Sequence, residues 1–187
     1  PHNQLGNRNG QNKNRDFLFQ YSTIKEVYPE IIKKWYNAPS NLSPIRSHLI
    51  GSLENKTVYS SVDFLIIIQA IEGFWWRFRD ENYRIKNSIP KKVNTNLKVI
   101  LNELLKEFDD IELLNKCGID IDAVVDSRHY YSHFVAQTKK PKKLDGWSLI
   151  KQAKKLRVLL ICCVLSFVGF EHSKIDVIFK KSNNKLI

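Results

Sequence analysis

"YSSVDFLIIIQAIEGFWWRFRDENYR", residues 59–84, decides how the chain is read. Phe64, Ile67, Ile68, Ile71, Trp75 and Phe78 recur at intervals of three and four. On a helix that advances about 100° per residue, this spacing makes one apolar stripe. The stretch therefore predicts a central helix. The same period recurs on both sides of it, while strand signals are scarce.

Toward the N-terminus, "STIKEVYPEIIKKWYN" (22–37) sets Ile24, Val27, Ile31, Ile32 and Trp35 at helical spacing. Pro29 allows only a kinked or divided helix there. "SPIRSHLIGSLE" (43–54) begins with serine before proline, an N-cap and first-position pair that predicts a shorter helix. Toward the C-terminus, "SIPKKVN" (88–94) breaks the pattern and "TNLKVILNELLKEF" (95–108) resumes it. Its expected cap is Thr95 or Asn94, and its buried stripe Leu97, Ile100, Leu101, Leu104, Leu105 and Phe108. Gly118 marks a stop. Asp120 or Asp122 opens the next helix, which is expected to run to about Ala136.

A basic loop, "QTKKPKKLDG" (137–146), leads to a last long helix from Trp147 to about Gly169. "IDVIF" (175–179) reads as a short helix or a strand before a polar tail. The expected architecture is an all-α bundle of about five to seven helices, with long central and C-terminal members.

The chain has 187 residues, 43% of them apolar and 11% aromatic, which suits one folded domain over residues 19–187. Residues 1–18 are polar and lack the apolar core of a signal peptide, and the chain holds no methionine. They read as a linker from an N-terminal region outside this sequence. Cys117, Cys162 and Cys163 are odd in number, and the adjacent pair lies in an apolar run where thiols act as small hydrophobes. That usage fits a reducing cytoplasm. The longest apolar run, residues 158–170, falls short of the ~20 residues that span a bilayer, so a core helix rather than membrane insertion is expected. Without a C-x-x-C pair, an H-E-x-x-H run or a glycine-rich phosphate loop, zinc hydrolysis and nucleotide hydrolysis lack support.

The net charge is +11, and residues 126–160 hold nine Lys/Arg against two Asp. A polyanion is the partner class such a concentration suggests, the plain alternative being lysines that keep the surface soluble.

That basic region starts with "VVDSRHYYSHF" (124–134). Extending the stripe Ile121, Val124, Val125 by three and four residues reaches Arg128, then Tyr131 and Ser132, then Val135. A guanidinium and a hydroxyl thus interrupt a surface meant for burial. Burying an unpaired arginine is expensive, so Arg128 needs a carboxylate, such as Asp126 or Glu72, or a wet cleft. His129 and His133 sit at i, i+4 on the adjoining face. Arg128 and His133 are about 140° apart, placed to flank one cleft without stacking. The histidine pair has no third ligand at an evident spacing, so neither a metal nor another cofactor is expected.

Three elements in order, "AIEGFWWRF", "VVDSRHYYSHF" and "LRVLLICCVLSFVGF", with the basic loop between the last two, resemble the Apea-like group of HEPN domains. In that group the central helix reads like "ALE" followed by a basic residue, the motif like "TRNYYTH", and the last helix ends in "LGF". The similarity extends from about Trp35 to Phe179. It implies metal-independent RNA cleavage at a homodimer interface, with the motifs of two subunits lining one cleft.

The resemblance places Arg128 and His133 in the catalytic positions. Arginine holds and neutralises a phosphate, and histidine moves a proton near neutral pH. His129 stands where asparagine is more usual and is expected to orient its neighbours. Glu72 aligns with the acid of the "ALE" element. Asp126 and Ser132 are expected to support the site. Tyr130 and Tyr131 are candidates to stack bases, though Tyr131 also falls on the buried stripe. Lys139, Lys140, Lys142 and Lys143 are candidates to meet phosphates from a mobile loop.

The resemblance further implies a bacterial anti-phage or abortive-infection effector with an N-terminal sensing region. A non-catalytic module that binds RNA or a partner protein is the competing expectation.

Overall fold

The computed structural model describes residues 21–54, 60–90 and 95–181. Within them run ten α-helices and no strand. They are α1 (Tyr21–Ile24), α2 (Tyr28–Tyr36), α3 (Ser43–Glu54), α4 (Ser60–Phe78), α5 (Asp80–Asn87), α6 (Leu97–Glu107), α7 (Glu112–Cys117), α8 (Ile121–His133), α9 (Gly146–Phe167) and α10 (His172–Lys181). The all-α bundle is as expected. The expected linker, Tyr59 and the polar tail beyond Lys181 lie outside the described residues.

The bundle is organised around α4 and α9, which pack along each other. Phe64, Ile67, Ile68, Ile71, Phe74 and Trp75 of α4 are buried. On α9 every residue from Val158 to Leu165 is buried. A helix apolar on all sides must be surrounded, and α3, α6, α7 and α10 also lie against it. Phe167 closes the far end, with ring centroids 6.2 Å from Phe74 and 4.5 Å from Phe78. The three cysteines are free and buried, and burial raises their thiol pKa values.

Helix breaks account for the larger number of segments. Pro29 sits in the first turn of α2 and divides it from α1. The expected central helix divides at Arg79, whose backbone leaves helical geometry with φ −128°. Its guanidinium forks onto Glu107 of α6 at 2.8 and 3.0 Å and lies over the Phe74 ring. Asp80 then collects the Trp75 indole N–H at 3.3 Å and the Thr95 hydroxyl at 3.1 Å. Thr95 is thereby spent on a tertiary bond. The cap of α6 is Asn96 instead, whose Oδ1 accepts from Val99 N–H at 3.0 Å, and Asn94 lies outside the described residues.

Gly118 ends α7 in the left-handed region, as its position predicts. Asp120 caps α8 by accepting from Ala123 N–H at 3.0 Å. The helix stops at His133, three residues before the expected end, because Phe134 turns left-handed with φ 51°. Asp145 and Ser148 form a capping box that opens α9. "IDVIF" lies in α10 and is helical. Among the described residues no helix is long and apolar enough to cross a membrane.

Candidate active site on the motif helix

The site is built on α8, whose inner face packs on α4 and α6. Ala123 and Val124 are buried there, and the buried line continues through Ser127 to half-buried Tyr131. This corrects the expected stripe. Arg128 lies on the shoulder, partly buried, and Ser132 is exposed with its hydroxyl turned back to the Arg128 carbonyl. The polar residue at the core position is Ser127.

Ser127 sets where the basic loop goes. Its hydroxyl donates to Ala123 C=O at 2.7 Å and accepts from Leu144 N–H at 2.8 Å. The Tyr131 hydroxyl donates to the carbonyl of the same Leu144 at 2.9 Å. Both backbone polar groups of Leu144 are thus satisfied by α8, and the loop docks on the motif helix. Sequence reasoning missed Ser127 because it followed the steps of three and four to their common landing point, Arg128, and passed over the step of three from Val124 alone.

Arg128 lies between two partners. Its Nη1 donates to His133 Nε2 at 2.9 Å, and its Nη2 stands 3.6 Å from Glu72 Oε1 on α4. Glu72 is therefore the carboxylate that meets Arg128, and Asp126 faces elsewhere. A guanidinium has no lone pair, so His133 Nε2 accepts and the ring proton sits on Nδ1. Arg128 and His133, expected to flank one cleft without stacking, meet through this hydrogen bond. Five residues rise only about 7.5 Å along a helix, within reach of the long arginine side chain.

Asp126, His129 and Lys140 form a second cluster beside the first. Asp126 accepts from Lys142 N–H at 3.2 Å and from Lys140 Nζ at 3.4 Å. Lys140 Nζ also donates to His129 Nδ1 at 3.0 Å. Partial burial, reinforced by the neighbouring Lys140, Arg128 and His133, lowers the His129 pKa, and Asp126 opposes this. The two imidazole centroids are 6.0 Å apart. Among the described residues no three of His, Cys, Asp and Glu converge to hold a metal ion.

The remaining candidates are mostly engaged within the chain. Lys142 and Lys98 each lie 2.7 Å from Asp122, and their hydrogen bonds hold its carboxyl down at about 2. Lys143 sits 4.7 Å over the Tyr130 ring and 3.3 Å from Asp145. Tyr130 thus presents one face to a lysine, and Tyr131 spends its hydroxyl on Leu144. Lys139 is exposed and without an ion-pair partner among the described residues. Two aromatic residues not singled out from the sequence flank the loop. Phe134 is 90% exposed and Trp147 74%. Neither carries a pattern that would flag it, since Phe134 stands out only by its left-handed backbone. A groove of about 770 Å³ lined by Trp76, Arg84 and Ile85 lies on α4 and α5 and shares no lining residue with the motif.

A family model described as Apea-like HEPN matches residues 65–174, more than half of the chain, and this span includes Glu72, all of α8 and the basic loop. No curated protein and no solved structure matches the chain.

Proposed function

The chain belongs to the Apea-like HEPN family, and on that premise we propose that it is a metal-independent endoribonuclease. The observation that carries the reading is the contact of Arg128 with His133 at 2.9 Å, anchored on its other side by Glu72 at 3.6 Å. A scissile phosphate that takes over the Arg128 N–H frees the Nε2 lone pair of His133. His133 then removes the proton of the ribose 2′-OH. The 2′-oxygen attacks phosphorus, the bond from phosphorus to the 5′-oxygen breaks, the departing 5′-oxygen takes a proton from solvent water, and the products carry a 2′,3′-cyclic phosphate and a 5′-hydroxyl. Arg128 neutralises the charge that builds on the phosphoryl oxygens.

Residues 19–187 act as one domain, the cleft is completed by the motif of a second copy in a homodimer, and the site is cytoplasmic. The role is that of an effector in bacterial anti-phage or abortive-infection defence. Lys139 and the docked lysines supply the positive field that attracts RNA. RNA incubated with the protein and a chelator tests this. Cleavage that disappears in folded Arg128→Ala and His133→Ala variants supports it, and equal degradation by all three proteins rejects it.

A non-catalytic module that binds RNA or a partner protein draws on a different observation. Arg128, Asp122, Asp126 and most of the loop lysines already have partners within the chain. On that reading the pairs serve only to fasten loop and helix, and RNA binds without being cut.

A further inference from the structure

His129 is surrounded by charge in an uneven way. Arg128 and His133 approach from its own helix, Lys140 from the loop, and Asp126 from one turn earlier on α8. Lys140 touches the ring directly, with Nζ 3.0 Å from His129 Nδ1. The ammonium has three donors and no acceptor, so His129 Nδ1 is the acceptor and the ring proton resides on Nε2. Asp126 keeps Lys140 in place, at 3.4 Å from Nζ, and is itself fixed by the Lys142 N–H at 3.2 Å. Leu144, tied to Ser127 and Tyr131, prevents the loop from drifting away.

An imidazole held in this way has a particular chemistry. Its one free nitrogen already carries a hydrogen, so it has no lone pair with which to take a proton from a 2′-OH. Protonation at Nδ1 requires Lys140 to leave. What remains is a fixed N–H donor beside Arg128, suited to bind a phosphoryl oxygen. His133 differs, because the group on its Nε2 is the arginine that a phosphate would draw off.

We infer that Lys140, braced by Asp126, locks His129 as a neutral N–H donor to the substrate phosphate, leaving His133 as the motif's only proton-transferring histidine. The inference rests on the nuclease reading for its catalytic half alone, since the lock itself is a property of the resting protein. Lys140 is then a positioning residue. The lowered pKa of His129 agrees with the arrangement, burial being the larger cause and Lys140 the next.

Two measurements on the full chain separate these halves. Long-range proton–nitrogen NMR of the imidazoles reads the tautomer directly. His129 is expected as the Nε2–H form, titrating below the ordinary histidine range. In a folded Lys140→Ala variant its midpoint should rise, and in Asp126→Asn, where the opposing charge is lost, it should not. A His129 that carries its proton on Nδ1, or that titrates identically with and without Lys140, overturns the lock whether or not the protein cuts RNA.

The second measurement is the pH–rate profile of RNA cleavage. The wild type should show one histidine ionisation on its acid limb, and Lys140→Ala should add a second. His129→Gln, which keeps an amide N–H at comparable reach and does not titrate, should retain activity within about tenfold. In that background Lys140→Ala should add no ionisation. His129→Ala, which removes the donor, should lose about a hundredfold, the scale seen when one donor to a developing oxyanion is deleted. If His129→Gln is as inactive as His133→Ala and removes an ionisation from the profile, His129 moves a proton and the inference is wrong. If the wild type cuts no RNA, the nuclease reading fails while the NMR result still decides the lock.

Discussion

Arg128 reaches along its own helix to His133, Nη1 to Nε2 at 2.9 Å, while its other terminal nitrogen stands 3.6 Å from Glu72 on α4. The arginine is therefore aimed by two different elements. Glu72 belongs to the helix at the centre of the fold, so the rigidity of the α4–α9 pair reaches the site through one carboxylate.

Glu72→Gln keeps the size of the side chain and removes its charge. Arg128 then loses its anchor on α4 but not its contact with His133. Cleavage should fall about tenfold, the effect of a modest misplacement of a reacting group, with little change in melting temperature. Single-turnover rates beside thermal unfolding curves check this.

Ser127 is fully buried and supplies the only side-chain acceptor given to Leu144 N–H among the described residues. Ser127→Ala leaves that N–H without a partner at a cost of about 1–3 kcal/mol. Chemical denaturation should show a loss of this size. Hydrogen exchange should quicken at Leu144 while the amides of α9 beyond Leu156 stay protected.

Acid should unfold the protein in stages. The folded chain resists protonation of His129, whereas the unfolded chain does not. That contribution is fully present above the ordinary histidine pKa of about 6.5 and is lost as pH falls below it. Glu112, bonded to Lys116 and Lys180, is lowered from 4.5 to about 2, and Asp122 from 3.8 to about 2. Each contributes stability above its unfolded pKa that disappears as pH falls toward 2. Both carboxylates reach solvent, with side chains 47% and 43% exposed, so salt should screen the effect. Melting temperature against pH should decline first below 6.5 and again below 4.5, and Glu112→Gln with Asp122→Asn should flatten the second decline.

Cys162 and Cys163 lie in the part of α9 that is buried on every side, and burial holds both thiols well above their ordinary range. The thiolate is the reactive form. A thiol reagent added to the native protein at neutral pH should therefore modify them only at the rate of unfolding. Adding denaturant should make all three cysteines react at once.

Much of the fold follows from local chemistry. The apolar stripes of α4 and α6, the stop at Gly118 and the division at Pro29 each need only spacing and residue type. What was not legible depends on partners distant in sequence. Three neighbouring residues, Asn94, Thr95 and Asn96, are all competent to cap α6, and the bond of Thr95 to Asp80 leaves the role to Asn96. Arg79 breaks the central helix without any glycine or proline, because Glu107 and Phe74 draw its side chain across. Phe134 ends α8 in a stretch with no residue that favours a left-handed backbone.

At the site, the motif residues could be named from their order and spacing. Their pairings could not. The hold of Lys140 on His129 spans eleven residues and that of Leu144 on Ser127 seventeen. Both depend on how the loop folds back. Of the lysines read as candidates to meet phosphates, Lys140, Lys142 and Lys143 have partners within the chain in Asp122, Asp126, His129 and Tyr130.

The chemical nature of the RNA ends tests the nuclease reading most directly. The chain is incubated in chelator with a single-stranded RNA and, separately, with its 2′-O-methyl counterpart, and the products are weighed by mass spectrometry. The expected products are 2′,3′-cyclic phosphate and 5′-hydroxyl ends from the RNA, with no cut in the 2′-O-methyl strand and none by folded Arg128→Ala or His133→Ala protein. Cleavage of the 2′-O-methyl strand, or undiminished cleavage by either variant, would contradict that reading.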